Sequence, residues 1–347
     1  MQAGVYKFLM RLAVLSVLFL AVNQLQFIWT PPYYGNPVYE AKHAALTEKK
    51  EDVNTVFFGS SRTFRQIDPS QFDSLLNDYG ISSFNCGSPA VSHPEQYFLY
   101  DSFLKEGHRG IRYAFLELKP INYISRVNLW TPRNYYWHST HWLWYVYEYL
   151  KDSSLPLKNK IGYALDYTFT LLLKHIHIGY LNRPSEESMT TEEILGRKGD
   201  GFLTLEDQVA LTPDDTSYME RRNAFLSDTT ILEGRIHQSL VDFSAPLRRG
   251  DMNETHLQLL KDLIARSEAS GIHLFLVVPP MLQEYRETRA LMESLPSSHV
   301  IELADVRRHP EFYDVSHLFD QGHLNRKGAA LYTRKLALAM RERLSGS

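Results

Sequence analysis

The feature of this 347-residue chain that most constrains its fold is an alternation of short apolar, strand-like segments with helix-like ones, found in two separate blocks of the sequence. The predicted strands are 55–58, 82–85, 113–118, 273–278 and 300–303. The predicted helices between and after them are 39–50, 68–79, 94–106, 254–269, 284–295 and 326–344. Such alternation favours a parallel sheet with helices on both faces. We therefore expect an α/β fold with three layers, α/β/α.

Between the two blocks, residues 123–252 break this alternation, and we interpret them as an inserted helical cap. The first part of the cap is rich in aromatic side chains, namely Trp130, Tyr135, Tyr136, Trp137, Trp142, Trp144, Tyr145, Tyr147 and Tyr149. They are typical of a helical core, of a surface that stacks on carbohydrate, or of a belt at a membrane interface. A later stretch, 184–215, is rich in polar residues and predicts a solvated loop.

Residues 1–29 predict a transmembrane signal anchor. Lys7 and Arg11 precede an apolar run over 12–22, and apolar character resumes before the end of this range, a length that can cross a bilayer. The two positive residues place the N-terminus in the cytoplasm and the rest of the chain outside it. Residues 30–50 predict a proline-containing linker and a short helix. We expect a single-pass protein of the cytoplasmic (inner) membrane with an extracytoplasmic, or periplasmic, main domain; a cleaved signal peptide is the alternative.

Composition argues against several classes of function. A net charge of -3 and a pI near 6.5 give no basic field of the kind that nucleic-acid binding needs. Cys86 is the single cysteine, which excludes an intrachain disulfide and a multi-cysteine metal site. On a helix, His175 and His177 lie about 200° apart, so they are poor joint ligands. We expect no nucleic acid, no metal and no cofactor.

Two segments far apart in the sequence could together form a serine nucleophile. A predicted strand ends in the turn Gly59-Ser60-Ser61, and Asp320 and His323 lie three residues apart on a loop that opens a helix. A serine hydroxyl is inert at neutral pH unless an imidazole accepts its proton, and a carboxylate must fix the tautomer of that imidazole. A turn or helix-cap role is the alternative for Ser61. Ser60 is the rival nucleophile, although a structural role is expected for it, and His317, near Asp314, is a second candidate histidine.

These residues carry a resemblance to a known family. In order and spacing, Gly59-Ser60-Ser61, Asn85-Cys86-Gly87-Ser88 and Asp320-x-x-His323-x-Asn325-x-x-Gly328 resemble the first, second and last sequence blocks of the SGNH (GDSL-like) hydrolases. The resemblance covers about 51–122 and 253–345. It implies an SGNH-like, flavodoxin-like core in two parts, 51–122 and 253–347, on either side of the inserted cap.

The resemblance also implies roles for particular residues. By matching positions, Ser61 is the nucleophile, Asp320 and His323 complete the triad, and the amides of Ser61 and Gly87 bind the oxyanion. The chain departs from the family where a Gly-x-Asn-Asp block is expected, since it has Leu118-Lys119-Pro120-Ile121-Asn122 there. Asn122 is the candidate for the missing oxyanion asparagine. Arg62 is a candidate for binding an anionic acyl donor or polymer, with a structural salt bridge as the alternative.

The Gly-Ser-Ser-Arg variant of the first block resembles membrane-anchored SGNH proteins that acylate or deacylate cell-envelope polymers, including polysaccharide O-acetylation and D-alanyl-transfer proteins. It implies a serine O-acyltransferase or esterase that acts through an acyl-serine intermediate. The implied partners are a cell-envelope polysaccharide or related polymer and a multi-span membrane acyltransferase. A lipid or small-ester hydrolase, and a catalytically quiet envelope-assembly protein that retains the fold, are the alternatives.

Overall fold

The computed structural model describes residues 2–29, 32–49, 51–118, 124–175, 189–248, 250–280 and 285–345. Its strands are β1 (Thr55–Phe58), β2 (Ser83–Asn85), β3 (Tyr113–Glu117), β4 (His273–Val278), β5 (Val300–Glu302), β6 (Leu318–Asp320) and β7 (His323–Leu324). The first five form one sheet in the order β2-β1-β3-β4-β5, and every neighbouring pair is parallel. The prediction of an α/β fold with a parallel sheet is confirmed, and each predicted strand agrees with the structure to within one residue.

Helices make up most of the remaining described structure. The longer ones are α1 (Gln2–Trp29), α2 (Pro37–Glu48), α5 (Glu95–Glu106), α7 (Thr140–Asp152), α8 (Leu157–His175), α11 (Ser217–Ser227), α12 (Thr230–Ser244), α13 (Glu254–Ala269), α14 (Arg286–Ser294) and α15 (Arg326–Ser345). The shorter ones are α3 (Ser61–Gln66), α4 (Pro69–Leu75), α6 (Asn134–Trp137), α9 (Thr191–Leu195) and α10 (Leu205–Leu211). The described ranges also contain the 3-10 turns Asn77–Tyr79, Ser297–His299, Pro310–Tyr313 and Val315–His317.

Both faces of the five-stranded sheet are buried. Successive side chains of a strand point to opposite faces, so Phe58 of β1 packs with α5 and α13 while Phe57 packs with α4 and α15. On the second face, the Phe115 ring centroid lies 4.9 Å from those of Phe57 and Phe275. Burial on both faces explains why these strands are continuous apolar runs in the sequence.

The aromatic-rich part of the insertion folds into α6, α7 and α8 with an apolar core of its own. That core consists of Ile124, Leu129, Trp137, Val146, Tyr149, Leu150 and Tyr167. Trp142 is also buried. Trp130 and Trp144, by contrast, are more than half exposed. Most of the aromatic side chains thus serve packing, and the two exposed tryptophans are the ones left for a surface role.

The expectation of a solvated loop over 184–215 was wrong for the residues that the structure describes, 189–215. They contain α9 and α10, and Ile194 and Leu203 are buried in a cluster with Phe64. The polar residues that suggested a loop are helix caps, because the side chains of Thr190 and Thr204 accept hydrogen bonds from the first-turn amides of the following helices. This part of the insertion packs directly on the sheet domain.

The N-terminal region has two parts. In α1, the described side chains are exposed. Yet within the described ranges, no helix combines the length and the apolar character that a membrane crossing requires, so the predicted transmembrane anchor has no support from the structure. The following segment, predicted as a linker and short helix over 30–50, packs against the domain where it is described, with Tyr33 and Tyr39 buried.

Candidate active site

The turn after β1 sets the position of the candidate nucleophile. Gly59 leaves no room for a side chain, because a Cβ there would lie 2.0 Å from Thr63 Oγ1 and 2.6 Å from Glu117 Oε2. Ser60 then caps α3, its hydroxyl accepting a hydrogen bond from the Arg62 amide at 3.2 Å. Glycine followed by a capping serine thus turns the chain sharply from strand to helix and places Ser61 at the first helical position.

The two neighbouring serines have different surroundings. Ser60 is buried, its amide donates to Glu117 Oε2 at 2.7 Å, and its hydroxyl donates to the same carboxylate at 2.8 Å. Thr63 Oγ1 donates to this carboxylate as well, at 3.1 Å. Ser61, in contrast, is half-buried and its hydroxyl points to a histidine. Ser60 is therefore fixed in the structure of the turn, and Ser61 is the serine presented to the site.

The structure brings Ser61, His323 and Asp320 together in a chain of hydrogen bonds. Ser61 Oγ lies 2.9 Å from His323 Nε2, and His323 Nδ1 lies 2.9 Å from Asp320 Oδ1. An aspartate can only accept at neutral pH, so Nδ1 carries the proton and Nε2 is the acceptor for the serine hydroxyl. The three groups have the geometry that activates a serine hydroxyl.

Asp320 and His323 lie on the β6–β7 hairpin, next to the start of α15. The Gly322 amide donates to Asp320 Oδ1 at 2.7 Å, which closes the turn. Asn325 caps α15 by accepting from the Gly328 amide at 3.0 Å. Asn325 Nδ2 also donates to the carbonyl of Ser316 at 2.7 Å, so the same residue ties the helix start to the chain before β6.

Three arginines of the insertion hold this hairpin. Arg221 Nε lies 2.7 Å from Asp320 Oδ2, Arg222 donates to the carbonyls of Leu318 and Phe319, and Arg235 donates to the carbonyl of Gln321. None of these three arginines is predicted from the sequence. An arginine about 100 positions from the residue it contacts leaves no local signal, so only the fold could reveal them.

The electrostatics of the site suit proton transfer from Ser61 to His323. Burial alone would raise the pKa of Asp320, but the hydrogen bond and charge of His323, the Gly322 amide and the Arg221 guanidinium lower it to about 2. Burial lowers the pKa of His323 and outweighs the raising effect of Asp320, while Arg62 and Arg221 lower it further. At neutral pH the carboxylate is therefore charged and the imidazole neutral, the state in which it can accept a proton.

The predicted oxyanion donors have three different outcomes. The Ser61 amide lies in the first turn of α3, where a helix provides no backbone acceptor. The Gly87 amide instead donates to Asn85 Oδ1 at 2.9 Å, and a Cβ on Gly87 would lie 2.5 Å from the Phe64 amide nitrogen. Close packing against α3 thus accounts for this glycine, and its oxyanion role stays a prediction. Asn122 lies outside the described residues.

Arg62 and His317 complete the predicted set. Arg62 Nη1 lies 3.9 Å from Glu117 Oε1, which is an ion pair but too long for a hydrogen bond. Its Nε is buried and has no hydrogen-bond partner among the residues that the structure describes. His317 Nδ1 donates to the carbonyl of Glu311 at 2.8 Å, so the structure brings His323, not His317, to the serine. In the ranges that the structure describes, no group of three or more metal-ligating side chains is present.

Comparisons with known proteins do not assign the chain to a family. No family model matches it, and no curated protein matches it.

Proposed function

We propose that this chain is a serine acyl-transfer enzyme of the SGNH type, with Ser61 as the nucleophile. The observation that carries the proposal is the hydrogen-bonded series Ser61–His323–Asp320, with two distances of 2.9 Å. A serine used only as a helix cap would not require a neutral imidazole held by a buried carboxylate. Ser60, which does cap the helix, shows the difference within the same turn.

The steps of the reaction follow from these contacts. His323 Nε2 accepts the Ser61 proton as Oγ attacks the ester carbonyl of the donor. The Ser61 amide donates to the resulting oxyanion. When the tetrahedral intermediate collapses, the ester C–O bond breaks and His323 gives its proton to the departing alkoxide. In the second half, His323 deprotonates an acceptor hydroxyl, or water, as its oxygen attacks the acyl-serine carbonyl. The bond between Ser61 Oγ and the acyl carbon then breaks, and His323 returns the proton to Oγ.

The fold is compatible with the SGNH resemblance in the strands that carry the site. The order β2-β1-β3-β4-β5 is that of flavodoxin-like doubly wound sheets. In such sheets ligands bind beyond the carboxyl ends of the strands, at the switch point between β1 and β3. Ser61 follows β1, and Glu117 is the last residue of β3. The site therefore lies where this topology favours one.

The proposed acceptor is a hydroxyl of a cell-envelope polysaccharide or related polymer, reached by a domain tethered at the outer side of the cytoplasmic membrane. Support for this part comes from the Gly-Ser-Ser-Arg motif and from Lys7 and Arg11 before the apolar residues of α1. A multi-span acyltransferase is the proposed donor partner.

The experiment is to follow the acyl group. Purified protein is given a chromogenic acetate ester with and without a cell-envelope polysaccharide, and both free acetate and polymer-bound acetate are measured. Transfer to the polymer that Ser61→Ala abolishes supports the proposal, while release of acetate to water alone identifies a lipid or small-ester hydrolase. Unchanged turnover in Ser61→Ala would remove Ser61 as the nucleophile, and absence of turnover in the wild type would favour a catalytically quiet assembly protein.

A further inference from the structure

Among the described residues around the candidate triad, arginine side chains outnumber carboxylates. Arg62, Arg221 and Arg235 all approach it, while the acidic groups they meet there are Glu117 and Asp320. Arg221 is neutralised by Asp320, with 2.7 Å between Nε and Oδ2. Compared with Arg221, Arg62 and Arg235 have weaker contacts with carboxylates: Arg62 lies 3.9 Å from Glu117, and Arg235 donates to a carbonyl.

Neither of these two guanidinium groups donates a hydrogen bond to a carboxylate within the described ranges. Glu117 accepts hydrogen bonds from Ser60 and Thr63 and is left 3.9 Å from Arg62 Nη1. Arg235 donates to the carbonyl of Gln321. In the part of the chain that the structure describes, the buried Arg62 Nε also lacks a hydrogen-bond partner, which destabilises the fold unless another group accepts its hydrogen bond.

Both guanidinium groups border the same two-residue turn of the β6–β7 hairpin. Arg235 contacts Gln321 directly, and Arg62 Nη2 lies 4.0 Å from the position of a Cβ on Gly322. Burial lowers the pKa of Arg235, and the positive charge of Arg62 lowers it further. Asp320, Tyr285 and Tyr313 oppose this lowering without cancelling it. The two positive groups therefore repel each other, and an anion between them would reduce the repulsion.

We propose that Arg62 and Arg235 bind a negatively charged group of the substrate, a phosphate or a carboxylate, beside the ester that Ser61 attacks. A guanidinium group presents its N–H donors in a planar fork that matches both of these oxyanions. The proposal rests on the proposed acyl-transfer function and names its substrate class, which is an acyl ester carrying an anionic group. It makes Arg62 and Arg235 specificity residues, distinct from the triad.

The first test compares esters of one shape and different charge. The substrates are 4-acetoxybenzoate, its neutral amide 4-acetoxybenzamide, and 4-acetoxyphenyl phosphate. We expect kcat/KM of the better anionic ester to exceed that of the amide by about ten- to a hundredfold, and we expect Arg62→Gln and Arg235→Gln each to remove most of this ratio. The larger ratio of the two identifies phosphate or carboxylate as the recognised group.

The matched control is Arg197→Gln. Arg197 is an exposed arginine of the same insertion, paired with Glu192 at 3.1 Å, so this variant changes the net charge by the same amount. It should keep the wild-type ratio. An equal loss of the ratio in Arg197→Gln, or a wild-type ratio near one for both anions, overturns the proposal.

A second test separates this inference from the proposed reaction. Binding of inorganic phosphate and of acetate is measured by calorimetry and thermal shift on Ser61→Ala protein, which keeps both arginines. Saturable binding that Arg62→Gln and Arg235→Gln abolish in this background supports the anion site even where the acyl-transfer reaction fails. Absence of saturable binding of either anion, or binding unaffected by both arginine substitutions, contradicts it even where Ser61 proves to be the nucleophile.

Discussion

Ser61 follows an interior strand of the five-stranded sheet, whereas Asp320 and His323 lie on a two-stranded hairpin outside that sheet. The buried Glu117 carboxylate holds the turn that carries Ser61, because it accepts hydrogen bonds from the Ser60 amide and hydroxyl. Arginines of the insertion hold the hairpin through contacts with the Asp320 carboxylate and with the carbonyls of Leu318 and Gln321. One half of the candidate triad thus depends on the sheet and the other on the insertion, so changes to each support should have different consequences.

The largest effect is expected from removing His323, the proposed base, which contacts both Ser61 and Asp320. His323→Ala should lower kcat by about 10⁴- to 10⁶-fold, as removal of a triad histidine or serine does elsewhere. The double variant Ser61→Ala/His323→Ala should be no slower than either single one, because both residues act in the same proton transfer. Steady-state kinetics of the three variants test this, and multiplicative losses would show that the two residues act independently.

The next effect concerns the support of Ser61 by the sheet. In Glu117→Gln an NH₂ group replaces one acceptor oxygen and the carboxylate charge is lost. At the Oε2 position the NH₂ group would face the Ser60 amide and the Ser60 and Thr63 hydroxyls, and at the Oε1 position it would face the Ser60 hydroxyl. We expect the free energy of unfolding to fall by about 1–3 kcal/mol and turnover to fall by about tenfold or more, since the turn is no longer held in one geometry. Chemical denaturation and kinetics measure the two quantities.

The matched control for Glu117 is Glu287→Gln. Glu287 is also buried and lies 3.0 Å from His256 Nδ1, but it makes no hydrogen bond to the triad. A comparable loss of stability with turnover retained in Glu287→Gln would show that the Glu117 effect is local. Equal loss of turnover in both variants would mean that global destabilisation explains it.

A smaller effect is expected from the support of the hairpin, and it has a pH signature. His323 must be neutral to accept the Ser61 proton, and its pKa lies below the usual 6.5, so the midpoint of the fall in kcat/KM with decreasing pH should lie below pH 6.5. Arg221 is one cause of that lowering, so Arg221→Gln should move the acid limb to higher pH and lower kcat/KM by about two- to tenfold at pH 7.

Arg222→Gln is the matched control. Arg222 is adjacent to Arg221 in the sequence, and the hydrogen bonds described for its side chain all go to carbonyls of the hairpin. It should lower stability without moving the acid limb. If the pH midpoint of the acid limb is unchanged in Arg221→Gln, or shifts equally in both variants, the charge of Arg221 is not what keeps His323 neutral.

The smallest effect should come from removing residues 1–29. The described side chains of α1 are exposed, so the shortened protein should turn over a small soluble ester within about twofold of the full chain. Full-length protein should resist extraction from membranes by carbonate and yield to detergent, whereas the shortened protein should be released. Extraction of the full chain by carbonate would argue against the proposed anchor.

How far the sequence predicts this molecule differs between the same two regions. The strands of the sheet were predicted to within one residue, because burial on both faces makes each a continuous apolar run. The three-residue spacing of Asp320 and His323 was also sufficient to nominate them. Arg221 and Arg235 could not be found in this way, because their partners are distant in sequence. The two short helices in 189–215 are not predicted, although Thr190 and Glu193 form a capping box, which is a local sequence pattern that marks the start of a helix.

The central claim is that Ser61, and not the adjacent Ser60, is the nucleophile. The direct measurement is reaction of the protein with a fluorophosphonate, followed by mass spectrometry of the intact chain and of its peptides. Wild type and Ser60→Ala should each gain one adduct, located on Ser61, and Ser61→Ala should gain none. An adduct on another residue, or labelling of Ser61→Ala at the wild-type rate, would contradict the account.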